Sequence, residues 1–127
     1  MRITTRAREG CAAVARAGAE CWVGTPMRLA TLRGSLDRVA VACWLLGTAT
    51  GTEADLAELF GPRLELFMTQ AIDTTVRSVI YEASGTVKAE LRAEGERRAR
   101  SIAEKSSIPF IALGADPRLT SEWLDAA

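Results

Sequence analysis

The sequence contains no histidine. That absence excludes a Ser-His-Asp triad, a histidine phosphorelay, a haem with an axial histidine and any zinc site that needs imidazole. There is no C-x-x-C pair and no glycine-rich phosphate loop, since Gly47-x-x-x-Gly51 lacks the Gly-Lys-Ser/Thr that would follow it. Charge of either sign is missing as a surplus: Lys+Arg number 16 and Asp+Glu 16. A balance of zero argues against binding nucleic acid mainly through bulk charge. Long apolar runs are also missing. The longest, Val39 to Leu46, is too short to span a bilayer, and the opening Met1 to Arg6 has no apolar leader core. A soluble cytoplasmic protein is expected. Cysteine is scarce and odd in number: Cys11, Cys21 and Cys43. Their spacing matches no zinc pattern, and free thiols in a reducing compartment are the simple expectation.

What is present suits one globular domain, or a domain with a tail. The chain has 127 residues, 48% apolar and 25% charged, enough for one core and too apolar for disorder. Alanine-rich Thr4 to Trp22 reads as a helix, with Cys11, Val14, Ala15, Gly18 and Trp22 along one face. Gly24-Thr25-Pro26 ends it. Residues Met27 to Leu46 carry two competing patterns. Leu29, Leu32, Leu36, Val39, Cys43 and Leu46 recur as a helix would have them, while the run from Asp37 to Leu46 also fits a strand. Thr52-Glu53-Ala54-Asp55 reads as a capping-box start for a short helix to Phe60, stopped by Gly61-Pro62. The stripe Phe67, Met68, Ala71, Ile72, Thr75, Val76, Val79, Ile80 and Ala83 predicts a helix over Glu65 to Ser84. A polar helix follows from Thr86 to Ser106, with Glu94–Arg98 and Glu96–Arg100 pairs at i,i+4. Ile108 to Leu113 is a short extended apolar segment, and Asp116-Pro117 opens a last helix anchored by Leu119, Trp123 and Leu124. One internal echo joins Arg16–Trp22 to Arg38–Trp44: both end in Cys-Trp, and Gly-Thr follows each. Chance in an alanine-rich chain accounts for it.

No set of residues points to catalysis. Glu53, Asp55 and Glu58 cluster, but a helix N-terminus attracts acids for dipole reasons alone. Tyr81, the single tyrosine, sits beside an apolar stripe and reads as a core or interface residue. The chain is therefore expected not to be an enzyme and to hold no cofactor and no metal. Two short patterns suit DNA binding: the alternation of Arg2, Thr4 and Arg6, and Leu56 to Gly61 as the end of a first helix in a helix-turn-helix. In the second, Pro62 occupies a position normally filled by an aliphatic residue.

A longer resemblance runs over residues 8–84. Arg8-Glu9-Gly10-Cys11-Ala12-Ala13-Val14-Ala15-Arg16 resembles the helix that opens the tail-completion, or neck, proteins of long-tailed bacteriophages. Thr25 to Leu36, with Pro26, Leu32-Arg33, Ser35 and Leu36, resembles the next motif of that family, although Leu29-Ala30 replaces its Thr-Gly. Gly47-Thr48, Glu58-Leu59-Phe60-Gly61-Pro62 and Leu66 to Asp73 follow in the family's order. The resemblance implies an α+β fold: an N-terminal helix, a small antiparallel sheet from Leu36–Thr50 and Leu64–Leu66, and long C-terminal helices. It implies a structural ring component at a head-tail junction, assembled in the host cytoplasm into a virion or phage-like particle. Its partners would be copies of itself and neighbouring neck or tail proteins, without membrane or specific nucleic acid. Residues 1–84 would form the core domain and 85–127 a helical extension and docking arm. The expected interface residues are Arg33, Ser35, Phe60, Phe67, Ile108, Phe110, Leu119, Trp123 and Leu124. The alternative is an all-α bundle acting as a small DNA-binding regulator or adaptor.

Overall fold

The computed structural model describes residues 1–119 and 121. Strands and helices alternate along it. Strand β1 (Arg2–Thr5) leads through a 3-10 turn (Arg8–Gly10) into helix α1 (Cys11–Arg16) and strand β2 (Glu20–Val23). Two further 3-10 turns (Leu29–Thr31 and Arg33–Leu36) precede β3 (Val41–Trp44). Helices α2 (Glu53–Leu59) and α3 (Pro62–Ile72) follow, then β4 (Ser78–Glu82), α4 (Ala89–Lys105) and β5 (Phe110–Leu113). Every strand pairing among the described residues is parallel. β1 pairs with β2 in one sheet, and β3, β4 and β5 lie in that order in another.

This corrects the expected architecture. The sheet is parallel, not antiparallel, because helices separate the paired strands and a tight hairpin therefore joins none of them. The all-α alternative fails on the same five strands. The expected helix from Thr4 to Trp22 is a βαβ unit, broken where Gly18 takes a left-handed φ of +79°. The expected helix from Glu65 to Ser84 is α3 followed by β4. The second half of its stripe, Thr75, Val76, Val79 and Ile80, is β-branched, which a strand accommodates better. Leu64–Leu66, expected as a strand, lies inside α3, and only Val41–Trp44 of Leu36–Thr50 is strand.

Other expectations hold. Thr52 caps α2 reciprocally: its hydroxyl accepts from Asp55 N at 3.1 Å, and Asp55 Oδ2 accepts from Thr52 N at 3.3 Å. Both expected ion pairs of α4 form, Arg98–Glu94 and Arg100–Glu96, each at 2.8 Å.

The main core lies between one face of the β3-β4-β5 sheet and helices α3 and α4. Tyr81, Phe60, Leu64, Met68, Val76 and Val79 are its largest fully buried side chains. Helix α4 reaches the sheet through small residues, Gly95, Ala99 and Ala103, all buried. Ala99 and Ala103 of α4 belong to this core, and Phe110 of β5 packs against it. Among the described residues no helix covers the opposite face of the sheet at β3. Val41, Leu45 and Ile111 are 49%, 40% and 53% exposed, and Cys43 on the same face is exposed too.

Cys11 and Cys21 form a disulfide that ties α1 to β2, correcting the expectation of three free thiols; Cys43 is free. The spacing of ten residues gave no hint of it, because only the βαβ turn brings the two Cα atoms to 5.4 Å. No helix among the described residues is long and apolar enough to cross a membrane.

Candidate functional site

In a parallel sheet all strands finish at the same edge, so the loops that leave them gather there. The chain has a crevice at that edge of about 470 Å³, within the range of small-molecule sites. Arg6 lines it just past the end of β1, Thr25, Pro26 and Met27 past β2, and Leu46, Thr48 and Thr50 past β3. Leu56 and Leu59 of α2 supply an apolar wall.

The wall past β2 is held by its own hydrogen bonds. Thr31 Oγ1 accepts from Thr25 N at 2.9 Å and donates to Arg28 O at 2.6 Å, while Trp22 Nε1 donates to Thr31 O at 2.7 Å. Gly24 lies so close to this turn that a Cβ would meet Leu32 and the Thr31 carbonyl, both at 2.8 Å. The loop past β3 is anchored by a buried carboxylate. Glu82 Oε2 at the end of β4 accepts from Gly47 N at 2.7 Å. Gly47 and Gly85 meet backbone to backbone, where a side chain on either would collide.

Two charged side chains line the crevice. Asp55 is engaged in the cap of α2. Arg6 is exposed and makes no ion pair among the described residues. Tyr81, the only side chain of its type, is committed elsewhere. Its hydroxyl donates to Arg92 O at 2.7 Å, and burial pushes it well above the ordinary tyrosine range. No cluster of three or more His, Cys, Asp or Glu side chains among the described residues could hold a metal ion.

The expected interface residues do not come together. Ser35, Phe60 and Phe67 are buried: Ser35 Oγ donates to Leu32 O at 2.6 Å, Phe60 meets Tyr81 edge-on and Phe67 packs on Trp44. Phe110 lies on β5 between Tyr81 and the Arg100 guanidinium, and Ile108 is half-buried against the core. Arg33 is exposed in a 3-10 turn, and Leu119 is 51% exposed. Trp123 and Leu124 lie outside the described residues. The crevice residues were missed, although the sequence marked two of them. The Cys-Trp-x-Gly-Thr and Cys-Trp-x-x-Gly-Thr echo is the end of β2 and the end of β3, each strand delivering its threonine, Thr25 or Thr48, to the same crevice.

This arrangement of parallel strands, intervening helices and an edge crevice has counterparts among solved structures. The triphenylmethane reductase of Citrobacter sp. superposes with a TM-score of 0.66 at 19% identity, over 88% of this chain and 38% of that one. The fold is Rossmann-like. The same reductase complexed with NADP(H) gives a TM-score of 0.65, also at 19% identity and the same coverage. The chain thus spans under half the length of the reductase it matches. No family model matches the sequence, and neither does any curated protein. The phage-neck resemblance, with its ring, virion and head-tail role, is overturned by this likeness. The short motifs that carried it lie on Rossmann-like elements: Arg8–Arg16 on α1 and its lead-in, Leu32–Leu36 on a 3-10 turn, Leu66–Asp73 on α3 and its cap.

Proposed function

We propose that this Rossmann-like unit binds the adenosine end of a phosphorylated nucleotide of the NADP type at the crevice past β1, β2 and β3. The observation that carries the reading is the position of Arg6. In sheets of this kind nucleotides bind beyond the carboxyl ends of the strands, and an arginine there accommodates a ribose 2′-phosphate. Arg6 stands one residue past β1 on the crevice wall, exposed and without a carboxylate partner among the described residues.

The side chains present fit part of such a ligand. Arg6 offers charge-assisted donors, Thr25, Thr48 and Thr50 offer hydroxyls, and Leu46, Leu56 and Leu59 offer an apolar surface for a base. They do not supply a cradle for a pyrophosphate, because no Gly-x-Gly-x-x-Gly turn occurs in residues 1–127. The reading accordingly assigns binding to this chain and no turnover. Tyr81 is bonded within the core, and Cys43 lies on the outer sheet face, away from the crevice lining.

The test is titration with 2′-AMP against 5′-AMP, followed by backbone NMR shifts. The 2′-phosphate is expected to bind more tightly and to shift Arg6, Thr25 and Thr48. Arg6→Ala should weaken 2′-AMP by about tenfold to a hundredfold, the worth of a charge-assisted hydrogen bond, and leave 5′-AMP unchanged. Equal affinities that ignore Arg6→Ala, or no shifts at millimolar ligand, would refute the reading.

A further inference from the structure

The two sheets present unpaired edges that match each other. In β1, the carbonyls of Met1 and Thr5 accept from Glu20 N and Gly24 N of the β2 side. Backbone groups alternate direction along a strand, so those of Arg2 and Thr4 point away from β2. In β3, Ala40 O accepts from Arg77 N and Ser78 N of the β4 side, so the backbone groups of Val41 and Cys43 point away from β4. No strand among the described residues pairs with either edge. At its amino end β1 is tied to the segment that leads into β3. The Arg2 guanidinium crosses from β1 to the segment before β3 and donates to Ser35 O at 2.6 Å and Asp37 O at 3.1 Å.

The order of the strands is informative. The two sheets read β2-β1 and β3-β4-β5. The common doubly wound order is 3-2-1-4-5-6. These five strands reproduce 3-2 and 4-5-6, and the one place left open lies between β1 and β3. The bare apolar face adjoins that place. Trp22 of β2 and Trp44 of β3 face the main core, so Cys21 and Cys43 face the other side. There α1 covers β2 through the Cys11–Cys21 bridge, while nothing among the described residues covers Val41, Cys43 and Leu45. Parallel sheets are otherwise covered on both faces, since the crossover from one parallel strand to the next is a helix.

We propose that the space between β1 and β3 is a slot for one parallel strand, and that the helix following this strand covers Val41, Cys43 and Leu45. The occupant is a strand–turn–helix segment of polypeptide other than residues 1–127. Its strand is apolar on both sides, because it lies inside a sheet flanked by helices. Its turn opens at the crevice edge, beside Arg6 and Thr48, and its helix is amphipathic. The inference rests on strand order and free edges and stands apart from the nucleotide reading: a filled slot with no nucleotide bound would sink that reading and leave this one intact.

The test uses the full chain and a synthetic peptide of about 30 residues carrying a Val/Ile strand, a Gly-x-Gly-x-x-Gly turn and an amphipathic helix. A scrambled peptide of the same composition is the control. In the chain alone, the amides of Thr4, Val41 and Cys43 should exchange fast while those of Ala42 and Trp44 are protected. The ordered peptide should slow the first three by an order of magnitude or more and shield Cys43 from a maleimide; the scramble should do neither. Three results overturn the proposal: protection of Thr4, Val41 and Cys43 in the monomeric chain alone; the same protection produced by a second copy at high concentration; or no effect of the ordered peptide on these amides.

Discussion

At Gly95 helix α4 lies directly against the Tyr81 hydroxyl, and replacing this glycine with alanine makes two opposing terms measurable. A methyl group at residue 95 would stand 2.7 Å from Tyr81 Oη, 3.1 Å from Phe60 Cδ1 and 3.2 Å from Leu64 Cδ2. None of these can retreat easily. Tyr81 is fully buried, its ring lies between Phe60 and Phe110, and its hydroxyl is bonded to Arg92 O. Helix propensity alone favours alanine by about 0.8–1.0 kcal/mol. Overpacking costs about 1–3 kcal/mol, and disturbing the Tyr81 hydrogen bond adds about 1 kcal/mol. The sum is a destabilisation of about 1–3 kcal/mol, a fall in Tm of about 4 °C per kcal/mol at this chain length. Urea denaturation of Gly95→Ala, Tyr81→Phe and the double variant reads it. Removing the hydroxyl opens the space the methyl needs, so the double variant should be more stable than the two single effects predict, by about 1 kcal/mol. A Gly95→Ala protein as stable as the parent, or strictly additive effects, would show that α4 does not rest on the Tyr81 hydroxyl.

Three other outcomes follow from the geometry. Cys11→Ser, or reduction of the parent, should cost about 2–3 kcal/mol in urea, the closure entropy of a loop this short, and Cys43→Ser should leave stability unchanged. Thr52→Ala removes the hydroxyl that accepts from Asp55 N, leaves the backbone half of the α2 cap in place and should cost about 1 kcal/mol, with amide exchange accelerated at Asp55; Thr52→Ser should restore most of it. Arg118 beside Asp116 holds that carboxyl down at about 2, below its ordinary 3.8. The stabilisation this pair contributes is present above the ordinary value and is lost as pH falls from there towards 2. An NMR titration of Asp116 should show the low value, and Arg118→Ala should raise it only part of the way to the ordinary value, because the backbone N–H of residue 118 still donates to the carboxylate.

Legibility from sequence followed the range of the interactions involved. The α2 cap, the Gly61-Pro62 break, the polar helix α4 with its ion pairs and the extended segment at β5 were all readable, because each depends on residues within a few positions of one another. The buried strands were not. β4 is apolar on both faces near the centre of its sheet, so its pattern merges with the stripe of α3, and no alternation marks the change. The alanines around α1 concealed two four-residue strands for a related reason: strands that short carry almost no period. The crevice was hidden because Arg6, Thr25 and Thr48 are remote in sequence. Only the echo of Cys-Trp followed by Gly-Thr signalled that two of them stand at equivalent strand ends.

By itself the sequence determined what chemistry is unavailable and where local elements begin and end. A chain without histidine and without a glycine-rich phosphate turn lacks those groups in any fold. A threonine with an acid three residues on caps a helix from within its own turn. The tertiary structure decided the rest: that the strands run parallel, that Cys11 meets Cys21, that Phe60 and Phe67 are core, and that one sheet face and two strand edges find no cover or partner among the described residues. Strand direction and pairing are settled by helices packing across a sheet, between residues 18 positions apart for Arg2 and Glu20 and 37 apart for Val41 and Ser78. No local pattern records which face or edge will find a partner.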